Sequence, residues 1–194
     1  MIQWTIDSAL ASRYVDTVVV STDDPMAKSI ARAQGVDVID RPAAIADSSA
    51  TAAAVIAHVL LHRPEDVLVY LQPTSPLREA RDIDACLELL FESEGVVSVT
   101  ETVEHPEWMY RLDEKSLKLE PVLATARYHG RQDLPKSFKL NGAVYCAPSE
   151  LLRPDGDIFK LQLTGYEMPQ SRSVDIDTVE DFRLTELLLG TNSR

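Results

Sequence analysis

Apolar and polar positions along this chain switch between two periods, and each switch marks an element. Val15–Ser21 (VDTVVVS) is a β-branched run that suits a strand buried on both faces. Asp24–Gln34 follows at helical spacing and stops at Gly35, a good C-terminal stop. Val36–Ile39 predicts a short second strand, the Ala-rich Ser48–Leu61 a helix, and Asp66–Leu71 (DVLVYL) a third strand. Ile83–Phe91, apolar at 83, 87, 90 and 91, reads as another amphipathic helix, and Gly95–Val99 returns as strand. Strands alternating with helices imply βαβ units, right-handed crossovers and a parallel sheet. The expected class is α/β.

The regime changes between about 101 and 141. This stretch is polar, carries Trp108, Tyr110, Tyr128 and Phe138, and shows no clear helical period. It predicts a hairpin-like excursion, and an irregular insert of this length is more often a lid or a subunit contact than a plain surface loop. Asn141–Ala147 then resumes as strand with one glycine at its start, and Arg172–Ile176 is read as the last strand. The final helix, Thr178–Leu189, is expected to turn Val179, Phe182 and Leu187 toward the core. Asp177 or Thr178 caps it, with Glu180 or Asp181 completing the pattern.

Length and charge narrow the function. The chain has 194 residues, and 19 Lys+Arg against 31 Asp+Glu give a net charge of −12, so it reads as one domain over residues 1–194. Nothing resembles a basic stripe, which argues against a nucleic-acid partner. No apolar run approaches the ~20 residues of a membrane span, and no basic start precedes an apolar stretch. Two cysteines, Cys86 and Cys146, make no disulfide scaffold, and a cytoplasmic setting is expected. An acidic chain that binds a phosphorylated ligand needs local cations or a metal ion.

Four segments offer chemistry. Leu71–Arg78 (LQPTSPLR) directly follows a predicted parallel strand, where ligands of open α/β folds bind; its prolines stiffen a loop bearing Gln72, Thr74 and Ser75, although a plain proline turn explains the pattern equally well. In Ser173–Asp177 (SVDID), strand periodicity sends Val174 and Ile176 one way and Asp175 and Asp177 the other. Two carboxylates so placed suit Mg²⁺, unless Asp175 is merely exposed and Asp177 only a helix cap. Arg127, Arg131, Lys136 and Lys139 form a local basic patch able to hold a phosphate or carboxylate, or simply a solvated loop. Ser21–Asp24 (STDD) is better read as a helix cap than as a metal site. The four histidines have no zinc spacing, and no Gly-x-Ser-x-Gly elbow, Walker loop or Gly-x-Gly-x-x-Gly is present.

Five stretches in order, VDTVVVSTDD, GVDVIDRPAAIA, LQPTSPLR, RQDLPKSFKLNGAVY and SVDIDTVEDF, resemble the acylneuraminate cytidylyltransferase family, the CMP-sialic acid synthetases, over about residues 2–189. The resemblance implies a Rossmann-like, mostly parallel sheet flanked by helices, with a small β-rich dimerisation excursion. It also implies a reaction in which CTP and a nine-carbon 2-keto sugar acid give the CMP-sugar and pyrophosphate. By position, Asp175 and Asp177 match the catalytic Mg²⁺ ligands, while Arg41, Ala50 and Thr51 match nucleotide-binding positions. Gln72, Pro73, Thr74, Arg131, Asn141 and Tyr145 match sugar contacts. The excursion of the family pairs with a second subunit, so a homodimer is expected in which Arg131 acts on the partner's site.

Two departures stand out. The family opens with a buried strand and a basic Gly/Ser-rich loop around the triphosphate, whereas this chain starts at Met1-Ile-Gln-Trp-Thr-Ile, in the helix that follows. The Val15–Ser21 strand is therefore expected to have an unpaired edge. An inactive fragment or paralogue serving as a nucleotide- or sugar-binding or dimerisation module is the alternative reading. Trp108 stands where some sialic acid enzymes carry Lys, which points toward a related nonulosonic acid such as a legionaminic acid.

Overall fold

The computed structural model describes residues 1–47, 49–123, 130, 132, 134–153 and 155–191. The chain opens with α1 (Ile2–Leu10), β1 (Val19–Thr22), α2 (Pro25–Ala33), β2 (Asp37–Asp40), α3 (Ala52–His62) and β3 (Val67–Tyr70). It continues with α4 (Ala80–Leu90), β4 (Gly95–Glu101), the hairpin strands β5 (Tyr110–Leu112) and β6 (Leu119–Pro121), and the long β7 (Phe138–Pro148). α5 (Ser149–Leu152), β8 (Leu163–Glu167) and α6 (Val179–Thr191) complete it.

The α/β class holds, with a mixed four-stranded sheet in the order β3-β7-β4-β8, a separate parallel pair β1-β2 and the β5-β6 hairpin. β1 and β2 pair in parallel, as do β4 and β8, while β7 lies between β3 and β4 antiparallel to both. Alternation along the strands of the four-stranded sheet feeds two cores, and Val20 of β1 packs with Ile6, Ala31 and Val36 in a third. Val96, Val144 and Cys146 pack with Ala9 of α1 and Ile83 and Cys86 of α4. Val97, Tyr145 and Ala147 pack with Ile56 and Leu60 of α3 and Leu152 of α5. A sheet buried on both faces is what the near-continuous apolar strands require.

Local signals account for most helix starts. Asp24 caps α2 by accepting a hydrogen bond from the Ala27 amide at 2.7 Å, so STDD is a cap. Thr51 caps α3 through the Ala54 amide at 3.2 Å. The hairpin expected between 101 and 141 is present as the antiparallel pair β5–β6.

Three expectations are corrected. The last helix does not turn Val179, Phe182 and Leu187 toward the core: all three are exposed, and Thr185 is the buried position of α6 among the described residues. Arg172–Ile176 is not a strand: Gln170–Arg172 is a short 3-10 turn and the following residues are irregular. The parallel partner of β4 is β8, Leu163–Glu167, whose short, glycine-bearing run carries little period-2 signal. The first strand also starts late. Val15 and Val18 pack against the core without joining a ladder, and pairing begins at Val19. Among the described residues β1 pairs only with β2 and β3 only with β7, which leaves the expected open edge on β1. The Arg41 guanidinium covers one group next to it, the Ser21 carbonyl. No helix among the described residues is long and apolar enough to cross a membrane.

Candidate active site

The reversed direction of β7 creates the site. Because Tyr70 at the carboxyl end of β3 faces Tyr145, the residues just before Tyr145 lie beside the loop that leaves β3. Gly142 sits there at φ 73°, a left-handed conformation that favours glycine. A Cβ at this position would stand 2.6 Å from Gln72 Oε1, 2.9 Å from Ser75 Oγ and 3.1 Å from Asp175 Oδ2. Three polar side chains from two distant segments therefore converge over one bare backbone position.

The Gln72 loop is fixed from within. Ser75, fully buried, directs its hydroxyl to the Asn141 carbonyl at 3.1 Å and to Asp175 Oδ1 at 3.4 Å. Arg78, also buried, donates to the Ala143 carbonyl at 2.6 Å and the Gln72 carbonyl at 2.7 Å. Burial lowers the Arg78 pKa to about 10, with nearby Asp82 opposing the shift, so the guanidinium stays charged at neutral pH.

The segment carrying the two acids is a strap stitched to the body at successive points. Arg172 forms a two-pronged ion pair with the fully buried Asp82, at 2.6 and 3.2 Å. The Ser173 hydroxyl accepts from Asn141 Nδ2 at 2.9 Å, and the Ile176 amide donates to the Thr74 carbonyl at 2.9 Å. Asp175 is half-buried and Asp177 exposed. Thr178 and Asp181 cap α6: the Thr178 amide donates to Asp181 Oδ2 at 2.9 Å, and the Asp181 amide to Thr178 Oγ1 at 3.2 Å. Asp177 is therefore no helix cap, and its carboxylate accepts no hydrogen bond from the described residues.

These acids border a cavity of about 430 Å³ whose walls include Thr100, Lys139, Asn141, Ser173, Asp175 and Asp177. The buried Thr100 hydroxyl has no hydrogen-bond partner among the described residues. On the other side, the Tyr70 ring lies 5.9 Å from that of Tyr145. Burial raises the Tyr70 pKa against the Arg41 charge and a hydrogen bond with Gln72. Burial likewise raises that of Tyr145, reinforced by the Asp175 charge. Arg41, Tyr70, Gln72, Tyr145 and Asp175 thus form one electrostatically connected lane. Burial, His62 and Arg41 all hold the His58 pKa down.

The sequence-derived site residues fare unevenly. Gln72, Asp175 and Tyr145 come together, with Pro73 exposed and Thr74 half-buried on the same turn. Ala50 and Thr51 lie at the start of α3, where Thr51 is engaged as a cap. Arg131 and Arg127 lie outside the described residues, while Lys136 of the basic patch pairs with Glu101 at 3.1 Å. Asn141 does not fit a direct sugar contact. Its Oδ1 accepts from Ser98 Oγ and the Ala143 amide, and its Nδ2 donates to Ser173 Oγ and Met168 Sδ, which saturates the carboxamide. Gly142, Arg78, Asp82 and Arg172 are not site residues by sequence reasoning, although Arg78 and Gly142 lie within the motifs noted there and Arg172 directly precedes SVDID.

Asp175 and Asp177 suit an oxygen-seeking cation. Mg²⁺ commonly takes one or two carboxylates and completes its shell with water and substrate phosphates. No group of three or more His, Cys, Asp or Glu able to hold a metal occurs among the described residues, so an all-protein cage is not offered. An unbonded carboxylate beside one oriented by Ser75 fits a metal that arrives with phosphates.

Residues 1–186 match the family model described as Cytidylyltransferase. The chain belongs to that family. It is 30% identical over 187 residues to an N-acylneuraminate cytidylyltransferase of Streptococcus agalactiae serotype III, covering 94% of this chain and 45% of that protein. N-acylneuraminate cytidylyltransferase A of Danio rerio is 32% identical over 190 residues, 96% of this chain and 44% of that one. A post-translational flagellin modification protein B of Campylobacter coli is 25% identical over 196 residues, 97% and 83%. The chain thus spans less than half the length of the first two relatives. Among solved structures, a CMP:2-keto-3-deoxy-manno-octonic acid synthetase complexed with CTP superposes with a TM-score of 0.72 at 16% identity, covering 98% of this chain and 88% of that one. That likeness shows the cytidylyltransferase fold.

Proposed function

We propose that this chain is the catalytic scaffold of a cytidylyltransferase that activates a nine-carbon 2-keto sugar acid, sialic or a related nonulosonic acid, with CTP. The observation that carries the reading is the convergence of Gln72, Ser75 and Asp175 over Gly142, with Asp177 left free beside them. The similarity to proteins named N-acylneuraminate cytidylyltransferase supports the substrate class.

In the proposed reaction the anomeric hydroxyl oxygen bonds to the α-phosphorus in line. The bond from that phosphorus to the bridging oxygen of pyrophosphate breaks, pyrophosphate leaves with the electron pair, and the hydroxyl proton is released. Such transfers depend on positioning and charge neutralisation rather than protein covalency. Arg41, with Ala50 and Thr51 at the start of α3, serves the nucleotide. Gln72, Pro73 and Thr74 orient the sugar, the Tyr145 ring backs them, and Asn141 acts by holding Ser173 and the strap. Asp175 and Asp177 would hold Mg²⁺, which when bound offsets charge at the α-phosphate.

The proposed assembly is a homodimer in the cytoplasm. Every residue of β5 and β6 is exposed, including Tyr110, Leu112 and Leu119, and an isolated two-stranded ladder is marginal in water unless covered. A second copy covers it in this reading and brings Arg131 to the site opposite. Pyrophosphate release from CTP with a panel of nonulosonic acids tests the proposal. Turnover with at least one of them supports it; calorimetric binding of CMP or sugar without turnover favours the binding-module reading instead.

A further inference from the structure

The two candidate metal ligands lie on a segment with no backbone ladder of its own, so something other than a sheet must fix it. Its upstream anchor is the Asp82–Arg172 pair. Asp82 is fully buried and shared by three elements: it accepts from the Glu79 amide at the start of α4 at 2.9 Å, the Tyr166 hydroxyl of β8 at 3.1 Å, and the Arg172 guanidinium at 2.6 and 3.2 Å. A two-pronged guanidinium–carboxylate contact fixes orientation as well as distance, which a lysine ammonium does not. Directly downstream, Ser173 is held by Asn141 and Pro169, Asp175 by Ser75, and Ile176 by the Thr74 carbonyl. Along 172–176 the spacing of these ties leaves Val174 as the only residue without one of them.

We infer that Arg172 and Asp82 are positioning residues that set the place of Asp175 and Asp177 relative to the Gln72 loop. The pair touches no reacting atom. Its forked geometry fixes where the strap leaves the turn Gln170–Arg172, and so where both carboxylates meet the cavity. The metal-binding part of the test below rests on the proposed Mg²⁺ role; the strap part does not.

The experiment compares the full chain with Arg172→Lys, which keeps the charge and loses the fork, and Asp82→Asn, which keeps the shape and loses the charge. Asp84→Asn is the control for general destabilisation, since Asp84 binds Ser12 and Arg13 away from the strap. The first readout is hydrogen exchange at the Ile176 amide, followed by NMR. It is expected to speed up about tenfold or more in Arg172→Lys or Asp82→Asn and to stay within about twofold in Asp84→Asn, a tenfold change corresponding to about 1.4 kcal/mol. The second is Mn²⁺ binding by electron paramagnetic resonance, expected to weaken by a similar factor in the same two variants and not in the control. Unchanged Ile176 exchange in both strap variants, or equal change in the control, overturns the inference. If wild type binds no Mn²⁺, the metal reading falls while the exchange result still decides the anchor.

Discussion

Thr178 and Asp181 bond each other reciprocally at the start of the last helix, and this exchange leaves Asp177 outside the cap. Asp177 or Thr178 could have capped from spacing alone, and only the second outcome leaves Asp177 available for chemistry. Thr178→Ala should cost about 1 kcal/mol of stability, the usual effect of losing a Ser/Thr cap. It should also slow turnover if Asp177 is drawn in as the replacement cap. Urea unfolding measures the first effect and pyrophosphate release the second.

Gly142 is where the site is least tolerant. Gly142→Ala forces a side chain into left-handed φ, costing about 1–2 kcal/mol, and drives a methyl into Gln72, Ser75 and Asp175. The expected outcome is a modest fall in melting temperature with at least a tenfold loss of sugar turnover. Full activity would show that the convergence is incidental.

The clamp of the loop after α1, through Ser12 and Arg13, on Asp84 of α4 gives a pH signature. Burial alone would raise the Asp84 pKa, but hydrogen bonds from Arg13 and Ser12 outweigh it and leave the pKa lowered. A lowered folded-state pKa contributes stability above the unfolded value of about 4 and loses it as pH falls through the folded one. Asp84→Asn should therefore destabilise most at neutral pH, with the gap to wild type closing at strongly acidic pH. Denaturant titrations across that range check it; a constant gap would contradict the clamp.

The exposed hairpin makes the assembly testable. Leu112 faces Leu119 across β5–β6, and both are more than half exposed. Leu119→Glu should convert a dimer to a monomer in sedimentation experiments while the fold, read by circular dichroism, persists. A wild-type monomer would remove the dimer from the proposal.

Much of the fold was legible because helices α2, α3 and α4 carry their own periodicity and stops. Strand direction was not. β7 runs antiparallel because the chain returns through the hairpin, a long-range fact that the local run FKLNGAVY does not encode. Val174 and Ile176 alternate like a strand, yet side chains from Asp82, Ser75 and Asn141 hold that segment in place of a ladder. Gly142, inside β7, was visible in sequence as a lone glycine in a strand-like run. Its reason, the approach of Gln72 and Asp175 from positions far away in the chain, was not.

The most direct test of the central claim is CTP-dependent pyrophosphate release in wild type and Asp177→Asn with the same nonulosonic acid. The exposed, uncapped Asp177 leaves the fold unaffected by this change, so melting temperatures should agree while turnover falls about a hundredfold or more. Equal turnover in the two proteins would contradict the assignment of this acid pair as the catalytic centre.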